Sequence, residues 1–286
     1  MTNVLEVNNV SKKIGNFSLE NISFTLERGQ IIGIIGKNGA GKTTLLKLIL
    51  EILTKDNGSI KTIPKQDIGV VIGEHVYYEN LSCIEMAKIL SHFYKKWNWD
   101  DFKKYMQAFS LPLKPKIEEL SKGMKVKFSL ACALSHQAQL LILDEPTSGL
   151  DPSARYKLLE ELHSMANLHN MSILFTSHIS SDIEQIANKI IYLKSGKLVD
   201  FIDIAMIGKK YTSIKTNDFN VVQDLKQNNI FLFKHGDNWE TVVNSSQIDN
   251  LSKYKNLSLS KATLDDIICF MACLLYTSPS PRDGLL

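Results

Sequence analysis

The pattern of apolar and polar positions predicts a chain in which strands and helices alternate. The run Ile31–Ile35 is continuously apolar, which is typical of a strand buried on both faces, and residues 45–53 carry leucine and isoleucine at helical spacing. Asn57-Gly58 is a strong signal for a hairpin turn. The same patterns predict further strands at residues 4–10, 17–20, 23–26, 68–72, 139–143, 172–176, 189–193 and 198–201, and helices at 154–168 and 180–187. This alternation predicts an α/β fold with a mainly parallel core sheet.

Between residues 81 and 136 the pattern changes to helices. Ser82 can cap the first of them, because Glu85 follows three residues later in capping-box spacing. Asp100 or Asp101 can start the next one. We therefore expect a helical subdomain at about 81–136.

The pattern of apolar and polar positions changes again after about residue 206. Strands are predicted at 211–215, 230–234 and 239–243, with helices at 221–226 and 264–271. We expect domain 1–205 to carry the chemistry and 206–271 to form a small α+β appendage without identifiable chemistry. Residues 272–286 resemble translated sequencing-adapter DNA, so we expect an artefactual or disordered tail, the alternative being a disordered native one.

Composition narrows the function classes. The chain has 286 residues, 44% of them hydrophobic and 22% charged, with a formal net charge of +3. That charge is too small to indicate a nucleic-acid partner. No membrane span and no signal sequence are evident, so we expect a cytoplasmic chain whose membrane role comes through a partner.

The cysteines and tryptophans are expected to pack rather than to react. The cysteines show no metal-ligand spacing, which suits a reducing compartment and buried packing for Cys83, Cys132, Cys269 and Cys273. Trp97 and Trp99 are interpreted as packing anchors, because no basic stripe accompanies them as base stacking would require.

A glycine-rich loop between the Ile31–Ile35 strand and the following helix predicts a phosphate-binding site. It fits the pattern G-x-x-x-x-G-K-[ST], whose backbone N–H groups curl around phosphate oxygens at a helix N-terminus. Lys42 would reach the β and γ phosphates, and the Thr43 hydroxyl would take a Mg²⁺ position. A Gly-rich turn without a ligand is the alternative. The predicted ATP-binding residues are Gly36, Lys37, Asn38, Gly39, Ala40, Gly41, Lys42, Thr43 and Thr44.

Two carboxylates end a later apolar strand. Asp144 and Glu145 follow residues 139–143 at the strand end where open α/β sheets bind their ligands. Asp144 would hold Mg²⁺ and Glu145 would polarise the attacking water. Taken alone they would be ordinary acidic residues at a surface turn, but the segment 146–152, PTSGLDP, follows them directly.

Two more segments complete the pattern. Leu120-Ser121-Lys122-Gly123-Met124 precedes an apolar-periodic helix whose N-terminus offers backbone donors to an anion. Thr176-Ser177-His178 ends another apolar strand. Taken alone, the first would be an ordinary capped helix and His178 a structural histidine.

With these four motifs in this order, residues 4–201 resemble the ATP-binding cassette (ABC) family, in particular bacterial exporter ATPases with a separate membrane subunit in antibiotic, lantibiotic or toxic-peptide export and immunity. The resemblance implies a P-loop NTPase core with an antiparallel β subdomain and a helical subdomain. It also implies Mg²⁺ and ATP, a homodimer or heterodimer of ATPase subunits, a separate transmembrane permease, no nucleic acid, and a place at the inner face of the membrane.

The resemblance also assigns roles to residues. Glu145 would be the general base, His178 would contact the γ-phosphate, and Thr43 with Asp144 would handle Mg²⁺. Ser121, Lys122 and Gly123 would face the ATP of the opposing subunit, and Asp151 would lie in the loop that communicates across the dimer.

Four positions depart from the family pattern. Lys122 stands where glycine is usual, and Met124 stands where glutamine is usual. Ile14 stands where an aromatic usually stacks on adenine, so that Phe17 would substitute or the adenine contact would be weaker. The usual glutamine after residues 68–72 is replaced by Gly73. Glu74 is the nearest oxygen donor, and the resemblance makes it a candidate metal ligand, the alternative being an exposed loop residue.

Two other functions remain possible at this point. A soluble cassette ATPase in translation, DNA repair or antibiotic sensing would share the motifs, although such chains usually carry two cassettes or a long coiled coil. A regulatory ATP-binding module without turnover is disfavoured by the intact Glu145 and His178.

Overall fold

The computed structural model describes residues 2–72, 77–228, 230, 232–251, 254 and 256–274. They divide into two units, residues 1–201 and 202–286. Glu74, the candidate metal ligand, lies outside the described residues, as does the tail beyond residue 274.

The first unit contains one large mixed sheet. Its strands are β1 (Asn3–Ile14), β2 (Phe17–Glu27), β3 (Ile31–Ile35), β4 (Asn57–Thr62), β5 (Ile68–Val71), β6 (Leu140–Asp144), β7 (Ser172–Ser177), β8 (Lys189–Lys194) and β9 (Lys197–Asp203). The strand order is β4-β1-β2-β9-β8-β3-β7-β6-β5. Strands β8, β3, β7, β6 and β5 run parallel, and β4, β1 and β2 pair antiparallel. The α/β expectation with an antiparallel subdomain is confirmed.

Helices in the first unit are α1 (Lys42–Ile49), α2 (Cys83–Ser91), α3 (Trp99–Ala108), α4 (Lys122–Ser135), α5 (Pro152–His169) and α6 (Ser180–Ile186). Short 3-10 turns lie at Lys65–Asp67 and Ile117–Glu119. Strand β3 is buried along its whole length, as its continuous apolar run predicts. Both faces of the sheet are therefore covered at β3, the strand that leads into the phosphate loop.

The second unit has its own small sheet and core. It contains α7 (Ile207–Lys210), β10 (Tyr211–Thr216), α8 (Phe219–Gln227), β11 (Phe233–His235), β12 (Asn238–Asn244), β13 (Ser258–Lys261) and α9 (Leu264–Leu274), with 3-10 turns at Ile204–Met206 and Ser245–Leu251. The strand order is β11-β12-β10-β13. Ile214, Val222 and Leu225 are fully buried in its core. Sequence patterning missed β13, which is exposed along its length and so shows no apolar alternation.

The antiparallel part of the sheet corrects two predictions. The segments 17–20 and 23–26 form one strand, with a shift of register between them. At the shift, Asn21 adopts a positive φ of 50° and its N–H donates to the Ser11 hydroxyl, so the strand continues. Asn57-Gly58 is not a hairpin turn. It starts β4, and Gly58, with a φ of +85°, lies at a register shift, where an added Cβ would come within 2.4 Å of the Asn9 carbonyl oxygen. The dipeptide is needed for a β-bulge and a close backbone approach.

Helix starts in the segment 81–136 follow side-chain caps. The capping box of Ser82 and Glu85 is confirmed, since each side chain accepts the other's backbone N–H. Asp100 and Asp101 do not begin the next helix. Asn98 does, because its side-chain oxygen accepts the N–H groups of both aspartates, at 2.9 and 3.2 Å, and leaves them in the first turn.

Trp97 and Trp99 pack against a neighbouring aromatic ring. Trp97, Trp99 and Phe102 contact one another with ring centroids 5.5 to 5.7 Å apart.

The cysteines differ from one another in burial. Cys83 and Cys132 are buried as expected, and burial raises the pKa of the Cys83 thiol to about 11. Cys269 is exposed, so its expected burial is wrong, because it lies on the outward face of α9. The side chain of Cys273 lies outside what the structure describes.

Candidate active site

The phosphate loop lies between the buried strand β3 and helix α1. Gly41 precedes the first helical residue with a φ of +108°, and a Cβ there would lie 2.9 Å from Cζ of Phe17. Both the conformation and the space therefore require glycine. Gly36 is equally confined, since a Cβ would lie 2.4 Å from the Leu193 carbonyl oxygen. The loop is thus a backbone cradle of the kind that a phosphate chain occupies.

Lys42 lies inside this loop with only 6% of its side chain exposed. Its Nζ donates to the Gly36 carbonyl oxygen at 2.8 Å and lies 3.3 Å from Oε1 of Glu145. A buried ammonium needs such partners, because desolvation of an unpaired charge is costly. The structure therefore brings the predicted phosphate-binding lysine and the predicted general base into one ion pair.

Asp144 ends β6 beside the start of α1 and connects two threonines. Its Oδ2 accepts from the Thr43 hydroxyl at 2.7 Å, and its Oδ1 accepts from the Thr176 hydroxyl at 2.6 Å. Thr176 Oγ1 in turn accepts the backbone N–H of Glu145 at 2.9 Å. Thr176 belongs to the predicted segment 176–178, but the sequence alone assigns this residue no role. The signal is the pairing of Asp144 with Thr176 across β6 and β7, which depends on strand order.

The donor set of this corner fits Mg²⁺. Hydroxyl and carboxylate oxygens are the hard ligands that Mg²⁺ prefers, and Thr43 and Asp144 lie within hydrogen-bond distance of each other. In the described part of the chain, no group of three or more His, Cys, Asp or Glu could hold a metal by itself. A Mg²⁺ ion here would therefore share its coordination with phosphate oxygens and water.

Glu145 and His178 meet at the ends of two neighbouring strands. Oε2 of Glu145 lies 3.2 Å from Nδ1 of His178, and the side chains are 28% and 45% exposed. Glu145 has a positive φ of 48°, an uncommon conformation for a residue with a Cβ. This backbone turn directs the carboxylate away from the strand, towards both Lys42 and His178. The pair is partly open to solvent, as a base that activates water must be.

A cleft of about 840 Å³ opens beside the phosphate loop. Its apolar wall includes Phe17, Val71 and Leu120, and its polar wall includes Asp144 and Glu145. Its size and mixed lining are typical of sites for small organic ligands. Phe17 lies beside Gly41 in this lining, whereas Ile14 is 44% exposed.

Ser121, Lys122 and Gly123 surround the start of α4. The Ser121 hydroxyl caps the helix by accepting the Met124 N–H at 3.3 Å. Lys122 lines the cleft of its own chain together with Ser148. Gly123 lies instead in a smaller cavity of about 300 Å³ with Asp151. Lys122 and Gly123 thus line different surfaces of the chain.

Asp151 has a defined structural role as the N-cap of α5. Its Oδ1 accepts the N–H groups of Ser153 and Ala154, both at 3.0 Å. Pro152 follows at the first helical position, where its missing N–H is not needed. The loop between Glu145 and α5 therefore ends at a firm helix cap.

The chain is similar to ATP-binding proteins of ABC transporters. A profile of the ABC transporter family matches residues 19–148. The chain is 32% identical over 251 residues to the ABC transporter ATP-binding protein YtrB of Bacillus subtilis, covering 84% of this chain and 86% of YtrB. It is 31% identical over 234 residues to the bacitracin transport ATP-binding protein BcrA of Enterococcus faecalis, covering 76% of each chain. It is also 31% identical over 214 residues to the lantibiotic transport ATP-binding protein SrtF of Streptococcus pyogenes, covering 68% of this chain and 89% of SrtF.

Solved structures of ATP-binding cassettes are also similar to this chain. The ATP-binding subunit of an ABC transporter is similar with a TM-score of 0.64 and 26% identity, covering 72% of this chain and 92% of that one. The dimeric, post-hydrolysis cassette MJ0796 bound to ADP and Pi is similar in fold with a TM-score of 0.62 at 21% identity, covering 70% and 98%. The chain therefore belongs to the ABC transporter family, as one of its ATP-binding and ATP-hydrolysing subunits.

Proposed function

We propose that this subunit powers the export of a drug, peptide or other small molecule through a separate membrane subunit, from a position at the inner, cytoplasmic face of the membrane. Two of the relatives named above are described as serving bacitracin or lantibiotic transport, which supports this cargo class. None of the described helices is both long and apolar enough to cross a bilayer. In this proposal a partner subunit supplies the membrane path, and the helical segment 81–136 is the docking region.

The cluster of Lys42, Thr43, Asp144, Glu145 and His178 carries the proposal. These residues come from three separate stretches of sequence, and hydrogen bonds or ion pairs of 2.7 to 3.3 Å connect them. Phosphoryl transfer needs mainly positioning and charge stabilisation, and this cluster supplies both at the rim of the phosphate loop.

ATP binding falls to the loop and to α1. The backbone N–H groups of residues 36–44 and the helix N-terminus would hold the phosphates, with Lys42 leaving Glu145 to neutralise their charge. Phe17, which lines the cleft, is the proposed substitute for the aromatic missing at Ile14 as the adenine contact.

Thr43 and Asp144 are the proposed holders of Mg²⁺. When bound, Mg²⁺ supplies Lewis-acid neutralisation of charge on the phosphate oxygens. Thr176 keeps Asp144 oriented through its 2.6 Å bond to Oδ1. Glu145 takes the proton of the attacking water as general base, and His178 holds the carboxylate and contacts the γ-phosphate.

A dimer of ATPase subunits, homomeric or heteromeric, completes the proposal. Ser121, Lys122 and Gly123 would face the ATP of the opposing subunit, and Asp151 would lie in the loop between the two sites. The dimeric state of the similar cassette MJ0796 supports this arrangement. Closure on ATP and reopening after hydrolysis would then drive the membrane partner.

Co-purification and ATP binding together test this function. The chain, tagged and expressed in a bacterium with its neighbouring genes, should retain a membrane protein in detergent extract. Recovery of ribosomal or DNA-repair proteins instead would favour the soluble-cassette alternative and overturn export.

A lysine variant tests the binding half. Lys42→Ala should lose ATP affinity by about tenfold or more, because a buried charge partner of the phosphates is removed. Lys189→Ala is the matched control. Lys189, in β8, is also partly buried, with 26% of its side chain exposed, and its Nζ lies 4.0 Å from Oε1 of Glu27 in β2. Equal affinities for the two variants would contradict the assigned role of Lys42.

A further inference from the structure

We infer that Asp182 is a positioning residue that holds the two loops carrying Glu145 and His178 in their relative places. This inference rests on the proposed roles of those two residues. Asp182 itself is 1% exposed, so it touches neither the cleft nor solvent. It acts through the backbone segments next to it.

The carboxylate of Asp182 joins both loops. Its Oδ2 accepts from the Thr147 hydroxyl at 2.6 Å and from the Ser177 hydroxyl at 3.4 Å. Thr147 lies two residues after Glu145, and Ser177 directly precedes His178. One buried oxygen atom therefore links the segment behind the general base to the segment that carries the histidine.

The charge of Asp182 is compensated from a third element. Nε of Arg155, in α5, lies 3.8 Å from Oδ1 of Asp182, and the guanidinium side chain is 27% exposed. A buried carboxylate would be strongly disfavoured if it had neither hydrogen-bond donors nor a nearby cation. The loop after β6, the end of β7 and helix α5 thus share one buried anchor.

Helix α6, which contains Asp182, packs against strand β3. Ile183, next to Asp182, is fully buried, and a Cβ added to Gly33 in β3 would lie 2.6 Å from its Cγ2. The helix therefore packs directly on the backbone of the central strand. Movement of Asp182 relative to the phosphate loop would require movement of that strand.

The backbone at Glu145 needs such support. Its positive φ of 48° is unfavourable for a residue with a Cβ, and it persists only where the surroundings hold it. Thr176 bonds the N–H of Glu145 on one side, and the bond from Thr147 to Asp182 fixes the chain on the other. Loss of the second bond lets Glu145 relax and separates it from His178, now 3.2 Å away.

Asp182→Asn is the first test. The amide keeps the shape but loses the charge and puts an NH₂ group among hydroxyl donors. Because misplacement of a reacting group by about 1 Å costs about a hundredfold, kcat for ATP should fall by about tenfold or more. The affinity for ATP, measured without Mg²⁺, should stay within about twofold, since no phosphate contact changes. Glu184→Gln, the same chemical change at an exposed position of the same helix, should change neither.

A double-mutant cycle separates positioning from general loss of structure. If Asp182 acts through Glu145, then Asp182→Asn should cause little further loss in a Glu145→Gln background, measured as single-turnover hydrolysis of radiolabelled ATP. A purely structural role would lower the rate in both backgrounds and would also lower ATP affinity. Thr147→Val, which removes only the hydroxyl donor, should reproduce the kcat loss and serves if Asp182→Asn does not fold.

The outcomes distinguish failure of the positioning role of Asp182 from failure of the proposed function. A normal kcat in Asp182→Asn or in folded Thr147→Val overturns the inference while leaving the roles of Glu145 and His178 intact. A parallel loss of kcat and ATP affinity also overturns it. Normal turnover in Glu145→Gln alone would instead overturn the proposed function.

Discussion

Replacing Glu145 by glutamine should stop hydrolysis without weakening ATP binding. The amide keeps the size and one acceptor oxygen of the carboxylate, so contacts near His178 can persist. It cannot take a proton from water. It also removes the negative charge that lies 3.3 Å from Nζ of Lys42.

The expected magnitudes follow from these contacts. Loss of a general base lowers turnover by about 10²- to 10⁴-fold, which corresponds to about 3 to 5 kcal/mol in the activation barrier. In the nucleotide-free chain, Lys42 must leave Glu145 before it meets phosphate. The pair is partly buried, so its loss should be worth about 1 kcal/mol, at the upper end for accessible pairs. The affinity for ATP should then rise by about fivefold rather than fall.

Phosphate release and equilibrium ATP binding in EDTA measure the two effects separately. Glu161→Gln is the matched control, because Glu161 has a similar side-chain exposure of 30% and pairs with Lys127 at 3.1 Å in α4. Its turnover should stay near that of the unaltered chain. Turnover of Glu145→Gln within about threefold of the unaltered chain would refute the general-base role, given the size of that effect in other enzymes. A fall in ATP affinity would refute the competition between Glu145 and ATP for Lys42.

Three further predictions concern other parts of the chain. Glu74→Ala should weaken Mg²⁺-dependent turnover and leave Mg²⁺-free ATP binding nearly intact, because Gly73 has no side chain to replace the usual glutamine; unchanged Mg²⁺ dependence would favour an exposed loop residue. A chain ending at Ile204 should still bind ATP, because the motifs and a complete core lie in the first unit; loss of binding in a folded truncation would contradict this. Burial lowers the pKa of His136 from 6.5 to about 4. The unfolded chain therefore binds this proton first on acidification, and the free energy of unfolding should fall by about 1.5 kcal/mol between about pH 6.5 and 5, over and above other groups. His136→Phe, which keeps an aromatic ring against Tyr94, should lose this increment in urea titrations at the two pH values.

Some features could be predicted from sequence because they are local. The phosphate loop is defined by residue types at a fixed spacing, and β3 by five apolar residues in succession. The capping box of Ser82 and Glu85 needs only the helical geometry of one turn. In each case the atoms that interact lie within a few residues of one another, so the pattern of the chain contains the information.

Where local signals competed, the structure decided between them. Asn98 and Asp100 are both good helix caps, and only the path of the chain from Trp97 leaves Asn98 in the extended conformation that a cap requires. Asn57-Gly58 has the composition of a hairpin turn, but β4 pairs with β1 rather than with a strand beside it in sequence. The positive φ of Gly58 therefore serves a bulge.

The sequence by itself determined which residues are candidates to bind phosphate and metal, and the strand ends at which they lie. Strand order alone decided how they meet. Because β7 lies between β3 and β6, Thr176 can bond both Asp144 and the N–H of Glu145, 32 and 31 residues away. Asp182 likewise joins Thr147 and Ser177 only because α6 packs on Gly33. Such bonds depend on register between elements distant in sequence, which the periodicity of any one element does not contain.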